Sequence, residues 1–217
     1  MIFLWAIYSG FTVIAQQKPV ILTTQQYTTQ IKTTPDKRLI EISKAIPGIK
    51  LDIKYATADN FMHRVMYKQA RAFARAPVIE ALKQIQAELK LKGLGLKIYD
   101  AYRPYAVTVD FYNMARDTNF VASPLTGSRH NRGCAIDLSL IDLKTGKDLP
   151  MPTPFDSFSP MAAADYADLP ADQLKNRELL KSVMQAHGFT VLRTEWWHFD
   201  FNGWQGFELM DVPFGEL

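Results

Sequence analysis

Cysteine occurs once in the 217 residues, at Cys134, which excludes any intrachain disulfide. Its small and apolar neighbours predict a buried thiol rather than a reactive one. Net charge is also scarce: +3 is too little to point to nucleic acid. The basic residues are scattered, and the one local cluster (Arg64, Lys68, Arg71, Arg75) reads as a solvated surface segment. There is no internal repeat and no linker between domains. Hydrophobic residues at 47% and charged residues at 22% exclude a disordered tail and a multi-span membrane protein, and the length suits one well-buried domain. The longest apolar run, roughly residues 2–15, falls short of the about 20 residues that a comfortable membrane span needs. It carries no charge and ends abruptly in polar sequence, with small Ala15 at a plausible cleavage point. Residues 1–16 are therefore expected to be a secretory signal, although the usual positive leader is missing. The expected destination is the periplasm or cell envelope, or the cytoplasm if the stretch is no signal.

What is present reads as a polar lead-in followed by one domain. Residues 17–35, rich in Thr and Gln without a sustained period, are expected to be loose, and the domain to occupy 36–217. "IKLDIKY" alternates, placing Ile49, Leu51, Ile53 and Tyr55 on one face of a strand. "PVIEALKQIQAELKLKG" is a helix with Pro77 in its first turn, Val78, Leu82, Ile85 and Leu89 on one stripe, and Gly93 as its stop. "LKIYDAYRP" is a strand that must end near Arg103, because Pro104 biases the preceding residue away from helical geometry. A helix follows, then the strand "GCAIDLSL", a Pro-rich loop over 150–170, a helix ending at Gly188 and a closing strand "TVLRTEWWHFDF". Helices and strands mix without a βαβ rhythm, which predicts a single α+β domain. Its central sheet is mainly antiparallel and flanked by helices.

Two segments carry titratable groups where they are costly. In "SRHNRGCAID" (128–137), alternation sends Ile136 and Leu138 to one strand face and Ala135, Asp137 and Ser139 to the other. An acid between small side chains resembles the floor of a site, and Gly133 lets the chain turn so that His130 bends over it. In "EWWHFDF" (195–201), Glu195 and His198 sit among aromatic residues, where such groups need a partner or a metal. On a regular strand positions 195 and 198 face opposite ways, so Glu195 must lie in a turn or at a bulge. Each segment alone also fits a bland reading, a partly exposed aspartate and a hydrogen-bonded core histidine. Together, two imidazoles and one carboxylate make three ligands that leave a fourth tetrahedral position open, the pattern of a catalytic zinc site.

These residues carry a resemblance. "SRHNRGCAID" matches the S-x-H-x-x-G-x-A-x-D signature, and "EWWH" the E-x-W-H signature, of the VanX-type zinc D-alanyl-D-alanine dipeptidases. "KYATADNF" (54–61), "YDAYRP" (99–104) and "FDSF" (155–158) look like further blocks of the same family, in the same order from about residue 41 to 201. The resemblance implies one zinc ion per chain on His130, Asp137 and His198, with Glu195 as the base for the attacking water. It implies Arg103 as the group that stabilises the developing oxyanion, and Ser128, Asp156 and Tyr55 as substrate contacts. The implied substrate is the dipeptide D-Ala-D-Ala, within peptidoglycan metabolism. Without the Asp156 contact to a free amine, the same centre would suit a D,D- or L,D-carboxypeptidase. A non-catalytic wall-binding module is the remaining alternative, and Glu195 argues against it. Asp100 could orient a ligand or Arg103, while His63 and His187 look structural or solvated. Oligomeric state is not legible.

Overall fold

The computed structural model describes residues 18–115 and 121–217. A five-stranded sheet runs in the order β3 (Lys50–Leu51), β5 (Leu94–Asp100), β6 (Ala135–Asp142), β8 (Glu195–Phe201), β7 (Phe189–Leu192). Only β3 and β5 pair in parallel; the other three ladders are antiparallel, as the α+β expectation requires. Two short pairs, β1 (Ile21–Leu22) with β9 (Leu209–Met210) and β2 (Leu39–Glu41) with β4 (Phe73–Arg75), lie outside it. α2 (Ile42–Ala45) follows β2 directly.

Helix α3 (Ala76–Lys90) has Pro77 in its first turn and fully buries Val78, Ile79, Leu82, Ile85 and Leu89. Each such side chain contributes about 1.5–3 kcal/mol, so this stripe rather than intrinsic propensity holds the helix on β5. α5 (Ala171–Ala186) buries Leu180, Val183 and Met184 and packs on β7. α4 (Tyr105–Met114) begins after Pro104, as the sequence predicts. Along β6 both faces are buried: the apolar set Ile136, Leu138 and Leu140 is fully enclosed, and so are Asp137 and Ser139. The loop after β6 folds over part of the sheet, with Phe155 stacked on Tyr99 at 4.7 Å.

Four expectations are corrected. Residues 24–33 of the supposed loose lead-in form helix α1 (Thr24–Thr33), started by a capping box between Thr23 and Gln26. Buried Tyr27 anchors it, its hydroxyl accepting from Leu39 N at 2.8 Å. The alternating stretch 49–55 is strand only at Lys50–Leu51, then turns into a short 3-10 helix over Lys54–Ala56 that drives Tyr55 inward. The closing strand is a hairpin, β7 and β8, joined through Arg193 and Thr194. Arg75 is not solvated: it is fully buried, its Nε donating to Arg132 O at 2.7 Å and its terminal nitrogens to Lys37 O and Glu208 O. Burial pulls its pKa down, and the carbonyls take up its donors instead of a carboxylate. The expected signal stretch, residues 1–16, lies outside the described residues.

Candidate active site

Asp137 and His198 are cross-strand partners on β6 and β8, so sheet register alone brings them side by side. His130 arrives from a 3-10 turn (His130–Arg132) that ends at Gly133 with φ +68°. The left-handed backbone favours glycine there, and a Cβ would also push on a Leu39 methyl 2.6 Å away. Ser128 Oγ accepts from His130 N at 3.2 Å, and Arg103 N donates to His130 O at 3.1 Å, which pins the turn.

His130 Nε2 lies 3.2 Å from His198 Nδ1 and 3.4 Å from Asp137 Oδ2, and His198 Nδ1 lies 3.0 Å from Asp137 Oδ1. The opposite nitrogen of each ring is occupied: His130 Nδ1 faces the Ala101 carbonyl at 2.7 Å and His198 Nε2 faces Asp200 Oδ1 at 3.0 Å. Both partners only accept, so each outward nitrogen carries a proton, and the inward nitrogens are the ones that would turn lone pairs to a bound cation. Asp137 Oδ1 is buried without a hydrogen bond, because the His198 approach is not aligned as one. Two imidazoles and a carboxylate thus converge in a set that suits a divalent cation, and their ligand atoms all lie within 4.8 Å of one another. The site's charge agrees. Burial opposes ionisation of Asp137, yet the two histidines hold its carboxyl far below the usual range. Burial likewise opposes charge on His198, but Asp137 and Asp200 push it up to about 10. The pocket demands positive charge.

Glu195 opens β8, and its Oε2 lies 3.8 Å from His198 Nδ1. The β7–β8 ladder jumps from Val191↔Phe199 to Leu192↔Glu195, and this irregularity turns Glu195 and His198 into the same cavity. Burial, then the Asp137 charge, raises the Glu195 carboxyl above its usual value against the pull of His198. Arg103 is buried, with Nε and Nη2 on Asp100 Oδ2 at 3.1 and 2.6 Å and its guanidinium over Phe111 (4.6 Å) and Tyr55 (5.2 Å). Tyr55 donates its hydroxyl to Asp156, 2.9 Å from Oδ2, and Asp156 sits at φ +60°. Burial and the Asp137 charge raise the Asp156 carboxyl well above its usual range, so meeting a cation would favour its ionised form. All eight sequence-predicted residues line one cavity of about 330 Å³.

The family model described as D-Ala-D-Ala dipeptidase, of the M15 peptidases, matches residues 36–211. The chain belongs to this family. The D-alanyl-D-alanine dipeptidase of Escherichia coli (strain K12) is 36% identical over 162 residues, 75% of this chain and 83% of that protein. The enzyme of the same name from Streptomyces coelicolor is 31% identical over 181 residues, 73% of this chain and 88% of that protein. Among solved structures, the LdcB LD-carboxypeptidase aligns over 77% of this chain and 69% of its own, with 19% identity and a TM-score of 0.45.

Within this peptidase domain, sequence reasoning left Asp100 undecided and passed over Asp200, Asn131 and Arg129. Asp100 is 1% exposed, holds Arg103, accepts from Tyr67 OH at 2.7 Å and lies 3.7 Å from His130 Nδ1. Asn131 bridges Arg103 O and Thr108 Oγ1. Asp200 could have been found from its spacing, two residues beyond His198. His187 pairs with Glu88 at 3.1 Å, away from the cavity. Among the described residues no helix is long and apolar enough to cross a membrane.

Proposed function

We propose that this protein is a zinc dipeptidase that hydrolyses D-Ala-D-Ala to two D-alanines in the turnover of peptidoglycan precursors or fragments. The convergence of the inward nitrogens of two imidazoles on a buried carboxylate oxygen, beside Glu195, carries this reading. His130, Asp137 and His198 would hold one zinc ion. When bound, the metal acidifies water and polarises the scissile carbonyl. Glu195, its proton affinity raised by burial, takes the proton of the attacking water and passes it to the leaving amine. Arg103, fixed by Asp100 and the two aromatic faces, presents positive charge to the oxygen that becomes anionic, a contribution on the order of 3–4 kcal/mol if it acts as an oxyanion-hole donor. Asp156, oriented by Tyr55, takes the substrate ammonium and so favours dipeptides with a free amine. Ser128 lines the cavity close to the leaving residue while it braces the His130 turn. Export to the cell envelope belongs to the same proposal, and recovery of the protein from the cytoplasm on fractionation removes that part.

The test compares D-Ala-D-Ala, N-acetyl-D-Ala-D-Ala and L-Ala-L-Ala with the purified zinc-loaded full chain. The free D,D-dipeptide is the expected substrate. Equal cleavage of the acetylated form would assign the centre to a carboxypeptidase instead. Glu195→Gln should lower kcat by about 10²–10⁴-fold while zinc content stays near one per chain. Near-normal activity in that variant removes the mechanism.

A further inference from the structure

A dipeptide brings two charges into the cavity, and the roles above provide for only one of them. Asp156 meets the ammonium, but the leaving residue carries an α-carboxylate into a pocket whose other acids are Asp137 and Glu195, with Asp200 just beyond His198. Two guanidiniums line the same cavity. Arg103 is committed, with two nitrogens on Asp100 and both aromatic faces against it. Arg129 is not. It lies between Ser128 and His130 in the chain, so its backbone is fixed by the turn that sets the candidate metal ligand. Its guanidinium stacks 4.9 Å from the Trp204 ring, and its Nε lies 3.6 Å from Asp200 Oδ2, beyond hydrogen-bond range. It donates no side-chain hydrogen bond among the described residues, and its side chain remains 45% exposed. Neighbouring Arg132 also lies over Trp204, at 5.2 Å, but spends its Nη1 on Phe207 O.

We propose that Arg129 is the specificity-determining residue that binds the α-carboxylate of the leaving amino acid, held in place by the Trp204 ring and Asp200. The assignment rests on the dipeptidase reading and deepens it. The planar fork suits a carboxylate, since two parallel N–H donors match its two oxygens. Arg129 and Asp156 then take the two charged termini of the substrate within the one cavity that the candidate metal ligands and Arg103 also line. An exopeptidase that demands a free carboxylate gains both affinity and alignment of the scissile bond from such a contact.

The experiment measures kcat/KM of the zinc-loaded full chain for D-Ala-D-Ala and for its C-terminal amide, in wild type, Arg129→Ala and Arg129→Lys. Wild type should prefer the free acid by about 10–100-fold, the size expected of a charge-assisted hydrogen-bonded pair. In Arg129→Ala that preference should collapse towards unity through loss on the acid, mainly in KM. Arg129→Lys, which keeps charge but not the fork, should fall between. An equal loss on acid and amide in Arg129→Ala, or no loss on either, overturns the assignment and leaves the dipeptidase reading intact. A wild-type enzyme inactive on D-Ala-D-Ala overturns both.

Discussion

Replacing Asp100 by Asn probes how far the cavity depends on one buried charge. The carboxylate is 1% exposed and receives three hydrogen bonds, from Arg103 Nε, Arg103 Nη2 and Tyr67 OH. Arg103 is itself 8% exposed. Burial works against its charge, and Asp100 is the first of the groups that hold its pKa well above the ordinary arginine value. The amide keeps the shape but turns one acceptor into a donor facing donors, and it leaves the guanidinium without its counter-charge. Breaking a buried pair from one side costs about 3–5 kcal/mol, and the retained acceptor argues for the lower end. At about 2–4 °C per kcal/mol for a domain of this size, the melting temperature should fall by roughly 6–12 °C. Urea unfolding gives the free energy directly. Activity should fall further than stability explains, by about 10²-fold in kcat, because Arg103 loses its orientation. The double variant Asp100→Asn/Arg103→Met separates the two effects, recovering stability but not turnover. A loss below about 1 kcal/mol in the single variant, the scale of a surface ion pair, would refute the reasoning.

Glu41 offers a pH test away from the site. The hydrogen bond from Arg71 at 2.8 Å, opposed by burial and assisted by Lys44, lowers its carboxyl to about 2. A depressed carboxylate stabilises the fold above its unfolded value near 4.5 and loses that contribution as pH falls through about 2. Glu41→Gln should therefore cost about 1–3 kcal/mol in urea unfolding at pH 7, and the gap should close near pH 2. A gap independent of pH contradicts this. Cys134 is buried and its thiol is pushed up to about 12. Iodoacetamide at pH 8 should leave the native protein unmodified and label one site in urea, and rapid native labelling contradicts the burial argument.

The sequence made the chemistry more legible than the scaffold. His130, Asp137, Glu195 and His198 stood out because titratable groups among small or aromatic residues need a partner, and that conflict is local. Parity along the strand requires the irregularity that reconciles Glu195 with His198. Arg75 was misread because a buried arginine satisfied by carbonyls has the same local sequence as a surface one. Helix α1 was missed because its threonines carry no period; it rests on one cap and one buried tyrosine. The strand over 49–55 ends early because, after the last bond to β5 from Asp52 N to Ile98 O, the chain bends into a 3-10 turn that sends Tyr55 to Asp156. Asp200 is legible from its place two residues beyond His198 on the same strand, whereas Asp100 also holds Tyr67 and lies near His130, partners from other segments that no spacing rule reveals.

The buried guanidinium of Arg75 grips three carbonyls from segments remote in the chain: one at the entry to β2, one in the histidine-bearing turn and one just before β9. The early part of the domain, its tail and the floor of the reaction chamber are therefore tethered at one knot. Damage near Lys37 or Glu208 would be felt at His130 even though neither residue lines the chamber, so the catalytic geometry is a property of the whole fold.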